Sequence, residues 1–342
     1  MIDFRSDTVT KPTNAMRKAM FNAVVGDDVY EDDQTIKKLE TLAANILDKE
    51  AALFVPSGTM GNQIAIMTHT NRGDEIIVGE HSHIKTYEVG AAAVLAGVGY
   101  HVVPEIRGVL DIEAVSKGIR GDDIHFPKTA LICMENAHGS GVVGSLAKMQ
   151  AISTLAKEKN IKTHLDGARL FNAAIHLNVE PKKIAQTVDS VMICLSKGLS
   201  SPIGSLLVGT KAFIKRARKY RKMLGGGMRQ VGVLGATGLI SLHEMRNRLH
   251  IDHENAQYLA HQLNQFKAFD VFEDALDINM VFVKVHLDQA HFNAYMRAQN
   301  ILLGGYKDAY MRLVCHHDLT REKIDIFLSH IKTYLKQYAT DQ

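Results

Sequence analysis

An α/β fold built on a mainly parallel sheet is predicted by two features of this sequence. Short runs nearly continuous in Val, Ile and Leu recur between residues 51 and 209, and each is separated from the next by a stretch that can form a helix or turn. Strands buried on both faces read this way, because crossover helices cover a parallel sheet above and below. Seven candidate strands follow: residues 51–55, 75–79, 100–103, 129–134, 162–166, 190–195 and 205–209. A sheet of this kind places its ligands beyond the carboxyl ends of the strands.

The elements can be taken in order. After an extended N-terminal arm, Ile36, Leu39, Leu42, Ala43, Ile46 and Leu47 recur at steps of three and four, the stripe of an amphipathic helix. Leu53-Phe54-Val55 is a short strand, and residues 56–62 turn from it into a helical run over 63–68. Residues 232 to about 267 read as one long helix leading to a smaller C-terminal unit. That unit has strand-like runs at 280–285 and 311–315 and closes in a helix from Arg321 to Tyr338.

With 342 residues, the chain is long enough for about two domains at ~150 residues each. Its formal net charge of +3 gives no reason to expect a polyanionic partner. The basic run Lys215 to Lys222 follows Phe213-Ile214 at helical spacing and reads as a solvated helix face rather than a nucleic-acid patch. Cys133, Cys194 and Cys315 sit in apolar runs without metal-ligand or disulfide spacing, which suits a reducing compartment. The charged N-terminus does not resemble a signal peptide, and no apolar run approaches the ~18 residues of a membrane span. The expectation is a soluble cytoplasmic protein that binds a small molecule, with no nucleic-acid or membrane partner.

The chemistry-bearing residues fall where the fold would put a ligand. Lys197 follows the apolar run Val191 to Leu195, and Asp166 ends Lys162-Thr163-His164-Leu165-Asp166, one helix earlier. An amine and a carboxylate at the ends of neighbouring strands are what a pyridoxal 5'-phosphate (PLP) enzyme needs: one group to bond the cofactor aldehyde and one to pair with its ring nitrogen. The turn carrying Ser57, Gly58 and Thr59 offers backbone N–H groups and hydroxyls at a helix start, a site for a dianionic phosphate. Together these groups match the three parts of PLP.

Phe4 to Thr10, Gly26 to Tyr30, Pro56 to Asn62, Gly73-Asp74-Glu75, His164 to Arg169, Ser196 to Leu199 and Gly225 to Gln230 extend the match along the whole chain. On these stretches the sequence resembles the threonine aldolase family of fold-type I PLP-dependent enzymes. The resemblance implies a transferase-like large domain with a mainly parallel sheet covered by helices, and a smaller C-terminal α/β domain. It sets an N-terminal arm at 1–35, the large domain at 36–245 and the small domain at 246–342. The implied activity is retro-aldol cleavage of L-threonine or L-allo-threonine to glycine and acetaldehyde.

The resemblance also implies roles. Lys197 bonds the cofactor, Asp166 pairs with its ring nitrogen, and His83 stacks on the ring. His125 corresponds to a second histidine that approaches the substrate hydroxyl, and the base for that hydroxyl is left open between these histidines and a water. Arg169 and Arg312, with Ser6, are candidates for the substrate carboxylate, since a planar guanidinium suits bidentate recognition. Arg169 is also placed near the cofactor. Tyr87 and Lys222 complete the substrate side. Arg229, beyond the glycines 225–227, belongs to a segment that reaches a neighbouring subunit, implying a homodimer or dimer of dimers, hence a homotetramer. No metal ligand set is expected. Two departures bear on substrate choice: the loop after Asn136 is shorter than usual over 137–143, and Lys85 and Thr86 stand where an aromatic residue is common. Two alternatives remain: a β-eliminating lyase on the same scaffold, or a PLP-binding protein without turnover.

Overall fold

The computed structural model describes residues 1–307 and 310–338. Its central sheet has seven strands: Ala51–Val55 (β1), Glu75–Gly79 (β2), Gly99–Val103 (β3), Thr129–Glu135 (β4), Lys162–Asp166 (β5), Ser190–Cys194 (β6) and Ser205–Gly209 (β7). Their spatial order is β1-β7-β6-β5-β4-β2-β3. All neighbours are parallel except β7, which runs antiparallel to both β1 and β6. β2, β6 and β7 are buried at every position, as expected for strands covered on both faces. All seven predicted strands are present, with ends moved by at most one residue.

Two expectations about helices need correction. The helix after β1 begins at Gly58, not in the 60s, because Ser57 caps it: the Ser57 side chain accepts a hydrogen bond from the Met60 N–H at 3.2 Å. Residues 232–267 do not form one helix. Gly232–His243 ends where Asn247 donates its side-chain amide to the His243 carbonyl at 2.8 Å, a 3-10 turn spans Met245–Arg248, and a new helix runs Leu249–Leu263.

The basic helix Lys211–Met223 is only partly a solvated face. Arg221 is buried, donates to the Phe54 carbonyl at 2.9 Å and pairs with Asp28, to which Arg218 also binds at 3.1 Å. Charge there ties the arm to the first strand rather than facing water.

The second sheet is antiparallel: Phe269–Val271 (β8), Met280–Val285 (β9), Tyr306–Lys307 (β10) and Tyr310–Val314 (β11), in the order β8-β9-β11-β10. It has its own hydrophobic core, which Ile2 and Phe4 of the N-terminal arm join. Ile2–Asp3 pairs in parallel with Ile301–Leu302, and the Phe4 carbonyl accepts from Val314 N–H at 2.9 Å. The arm therefore leaves the small core at Phe4 and reaches the large sheet at Thr10, whose hydroxyl donates to the Lys197 carbonyl at 2.9 Å. Ser6 and Asp7 lie on that bridge.

Candidate active site

The carboxyl ends of β4, β5 and β6 bring the chemistry together. Glu135 and Asp166 are register partners at the ends of β4 and β5, and Lys197 follows β6 by three residues. Asp166 is buried and its two oxygens are held separately. Oδ1 accepts from the Ala168 N–H at 3.1 Å, and Oδ2 accepts from the Asn62 amide at 2.8 Å.

His83 sits on a short helical turn, His83–Thr86, just beyond β2. Its backbone N–H donates to Glu135 Oε2 at 2.8 Å, and its Nδ1 lies 2.8 Å from Glu88 Oε1. That bond to Glu88 raises the imidazole above its ordinary pKa, with the charge of Asp166 acting the same way against burial. Glu88 is buried and also accepts from the amides of Asn62 at 2.8 Å and Gln63 at 2.6 Å. His83, Glu88 and Asp166 offer atoms within 4.8 Å of one another, close enough for a metal. The Asn62 amide already donates to both carboxylates and His83 takes the same Glu88 oxygen, so the cluster is built as a hydrogen-bond network.

A phosphate fits at the start of the helix Gly58–His69. Ser57 caps Met60, and among the described residues no protein acceptor takes the Gly58 or Thr59 N–H. Gly58 has no room for a side chain: a Cβ there would lie 2.9 Å from Cys194 Sγ, beneath the same strand end that leads to Lys197. An uncovered helix start, a buried carboxylate and a half-buried lysine at adjacent strand ends suit the phosphate, ring nitrogen and aldehyde of PLP.

The two candidate arginines differ. Arg169 is buried and clamps the fully buried Asp7, Nε to Oδ2 at 2.8 Å and a terminal nitrogen to Oδ1 at 2.6 Å. Burial alone would raise the Asp7 carboxyl, but the guanidinium of Arg169, aided by Lys197 and Arg312, holds it far below the usual carboxylate range. Two of the Arg169 donor groups are thus taken. Arg312, on β11, makes one long bond, 3.4 Å to the Arg5 carbonyl, and its pKa is lowered by burial and by the nearby Arg169 charge. The charges of Arg169, Arg312 and Lys197 all act on Asp7, and Glu135 also acts on Arg169.

Other predicted residues are placed as follows. Ser6 borders the pocket but accepts from the Thr8 N–H at 3.2 Å, capping a 3-10 turn. Tyr87 is exposed, its ring 5.6 Å from that of His83. Lys222 is exposed at the end of its helix, and Arg229 pairs with Asp27 of its own chain at 3.2 Å. Gly226 lies against the phosphate helix of the same chain, where a Cβ would be 2.4 Å from Met60 Sδ. Within one protomer His125 lies apart from this site. His125 stands four residues before β4, exposed and bonded to Asp123 at 2.8 Å. Its neighbour Phe126 lies under Arg120, which pairs with Glu75 at the start of β2, so the loop packs at the amino ends of the strands. The shortened 137–143 loop closes as a turn, with the Gly141 N–H on the His138 carbonyl at 3.0 Å and His138 N–H on Val142 at 3.0 Å.

Sequence reasoning missed Asp7, which Arg169 clamps, and Glu88 and His164, which Asn62 joins to Asp166. His164 had a usable signal: two residues before Asp166 on a strand, it faces the same side of the sheet. Glu88 had none, because its partner Asn62 is 26 residues away in another element.

This fold and pocket define a PLP-dependent enzyme of the α/β class. The beta-eliminating lyase family model matches residues 3–286. The low-specificity L-threonine aldolase of Escherichia coli (strain K12) is 44% identical over 98% of this chain and 99% of its own. The low-specificity L-threonine aldolase 1 of Arabidopsis thaliana is 44% identical over 96% of this chain and 94% of its own. Among solved structures, a threonine aldolase of Leishmania major superposes with a TM-score of 0.84 at 20% identity, covering 98% of this chain and 100% of that one, a likeness of fold. The chain belongs to the beta-eliminating lyase family and, within it, to the low-specificity L-threonine aldolases.

Proposed function

We propose that this protein cleaves the Cα–Cβ bond of L-threonine and L-allo-threonine, giving glycine and acetaldehyde. The observation that carries the reading is the convergence of Lys197, Asp166 and the Glu88-bonded His83 at the strand ends of a chain that resembles threonine aldolases over nearly its whole length. When bound, PLP supplies an electron sink for the carbanion left by bond cleavage. Lys197 would hold the cofactor, Ser57, Gly58 and Thr59 would bind its phosphate, and Asp166 would pair with its ring nitrogen through a charge-assisted hydrogen bond. Arg312, which among the described residues makes one long hydrogen bond, would take the substrate carboxylate, while Arg169 sets the position of Asp7.

Fixing the carboxylate would hold the substrate in one orientation and so select which bond at Cα is broken. His83 is suited to take the substrate hydroxyl proton. With Nδ1–H directed at Glu88, its Nε2 is left as an acceptor, and the carboxylate stabilises the imidazolium that forms. Tyr87, exposed with its ring 5.6 Å from that of His83, is suited to border the aldehyde end of the substrate. The test is to incubate the PLP-loaded protein separately with the two threonine diastereomers and with serine or cysteine. Acetaldehyde with equimolar glycine supports the reading. Pyruvate and ammonia would support the β-eliminating alternative that the family's description keeps in view.

We also infer a homo-oligomer, working in the cytoplasm, and a division into arm, large and small domains near residues 35 and 245. Support for assembly is the exposure of Phe21, Tyr30 and Met223 beside the glycine turn. Support for the division is the separate core under each sheet. Mixing the inactive variants Lys197→Ala and Arg229→Ala under subunit exchange should restore activity if Arg229 acts across an interface. No recovery after verified exchange would assign Arg229 to its own subunit, where it already meets Asp27.

A further inference from the structure

Behind Asp166, on the side away from the substrate, four neutral polar side chains form a continuous line. The Asn62 oxygen Oδ1 lies 3.1 Å from His164 Nε2, His164 Nδ1 lies 2.9 Å from Ser190 Oγ, and Ser190 Oγ lies 2.8 Å from His69 Nε2. Local geometry explains the alignment. Asn62 and His69 are seven residues apart on the phosphate helix, two turns along one face. His164 and Asp166 alternate onto one face of β5, and Ser190 is the register partner of His164 on β6.

Counting protons leaves one solution. Both hydrogens of the Asn62 amide nitrogen are needed, one for Asp166 Oδ2 and one for Glu88 Oε1, each at 2.8 Å, and a flipped amide would face its oxygen to two carboxylates. Asn62 Oδ1 is therefore an acceptor, and His164 must carry its proton on Nε2. Burial pushes the His164 pKa down to about 4, so near neutral pH its Nδ1 is bare and takes the single proton of Ser190. Ser190 Oγ must then accept from His69, whose proton is on Nε2 and whose pKa burial pushes to about 3. Apart from the Asn62 hydrogen given to Glu88, every N–H and O–H in the line points toward Asp166.

We propose that His69, Ser190, His164 and Asn62 form a one-way polarised ladder that fixes Asp166 as a pure hydrogen-bond acceptor and so lowers the proton affinity of its carboxylate, leaving the proton the two share on the cofactor's ring nitrogen. These are positioning residues. None needs to touch substrate, and all act through the Asn62 amide. Aligned hydrogen bonds polarise one another, and the low dielectric of the interior lets their combined dipole reach the carboxylate. The inference rests on the cofactor reading above for its consequence, but the ladder's polarity can be tested without it.

Neutron diffraction from deuterium-exchanged crystals of the protein should show deuterium on Nε2 of both His69 and His164 and none on their Nδ1 atoms. A proton on His164 Nδ1, or a doubly protonated His164 at neutral pH, overturns the ladder whether or not PLP binds. For the consequence, holoenzyme carrying PLP labelled with 15N in the ring should give a pyridinium resonance. In Ser190→Ala the Asp166 carboxylate becomes more basic and the ring nitrogen should lose its proton at a pH roughly one unit higher, a tenfold change comparable to one hydrogen bond. His69→Phe should give a smaller shift in the same direction, and His69→Gln, which keeps a donor to Ser190, should restore the wild-type titration. A ring-nitrogen titration unchanged in both Ser190→Ala and His69→Phe would reduce the line to a packing device and overturn the proposal.

Discussion

The large and small sheets contribute to the pocket in different ways. Strands β4, β5 and β6 are almost wholly buried, and the groups at their ends are each held by several partners: Asp166 by Asn62 and Ala168, and Glu135 by the His83 and Gly139 N–H groups. The small sheet's β11 has one exposed and one half-buried position among its five residues, and it delivers a single functional group, Arg312, on one long hydrogen bond. The difference teaches a division of labour. Groups that must hold a cofactor in one geometry are fixed by a doubly covered sheet, while the group that grips a transient substrate is left with an open donor fork.

The largest expected effect falls on the fixed side. Lys197→Ala and Asp166→Ala should each lower turnover by several orders of magnitude, since every ~1.4 kcal/mol of lost transition-state stabilisation is tenfold in rate. Borohydride treatment of the loaded wild-type protein should fix the cofactor to Lys197 in a peptide map. A label on another lysine would break the comparison at its root.

Asp7 bridges the two sides, and Asp7→Asn leaves the buried Arg169 unpaired. Breaking such a pair costs about 3–5 kcal/mol, readable as a lower urea midpoint. Because the folded Asp7 carboxyl is held far below its unfolded value, its stabilisation is complete above the ordinary carboxylate range and is lost as the pH falls through the depressed one. The wild type and the variant should therefore converge in strong acid, and an equal gap at all pH values would assign the loss to packing.

Arg312→Lys sharpens the comparison from the other side. Losing the planar fork should raise KM by roughly tenfold to a hundredfold while the cofactor spectrum stays unchanged, the scale of one or two charge-assisted hydrogen bonds. A disturbed cofactor spectrum would show that the small sheet shares in holding the cofactor.

The smallest effect is a shift in pH profile. Glu88 raises the pKa of His83, and the base form of His83 is lost as the pH falls through that raised value. Glu88→Gln should reduce the rate and move the acid limb of kcat/KM to lower pH. An unmoved limb would assign that limb to another group.

Much of this was legible in the sequence because the signals were local. Buried strands appear as continuous apolar runs, a strand-end lysine or aspartate is read from its neighbours, and a helix start with Ser57 and Gly58 needs only adjacent residues. His125 was read from a family context in its neighbours, but where its loop packs within the protomer, at the amino ends of the strands through Arg120 and Glu75, depends on contacts far along the chain. The basic helix misled because the partner of Arg221 is Asp28, 193 residues away.

What the sequence alone determined, then, is the succession of the seven sheet strands and the family, both carried by short-range pattern. Only the tertiary structure decided which arginine is free, which carboxylate pairs with His83, and that Asn62, His164, Ser190 and His69 stand in one line. Those outcomes depend on which strand ends become neighbours and on how a limited number of protons is shared among buried donors and acceptors, and neither is written in any local stretch of chain.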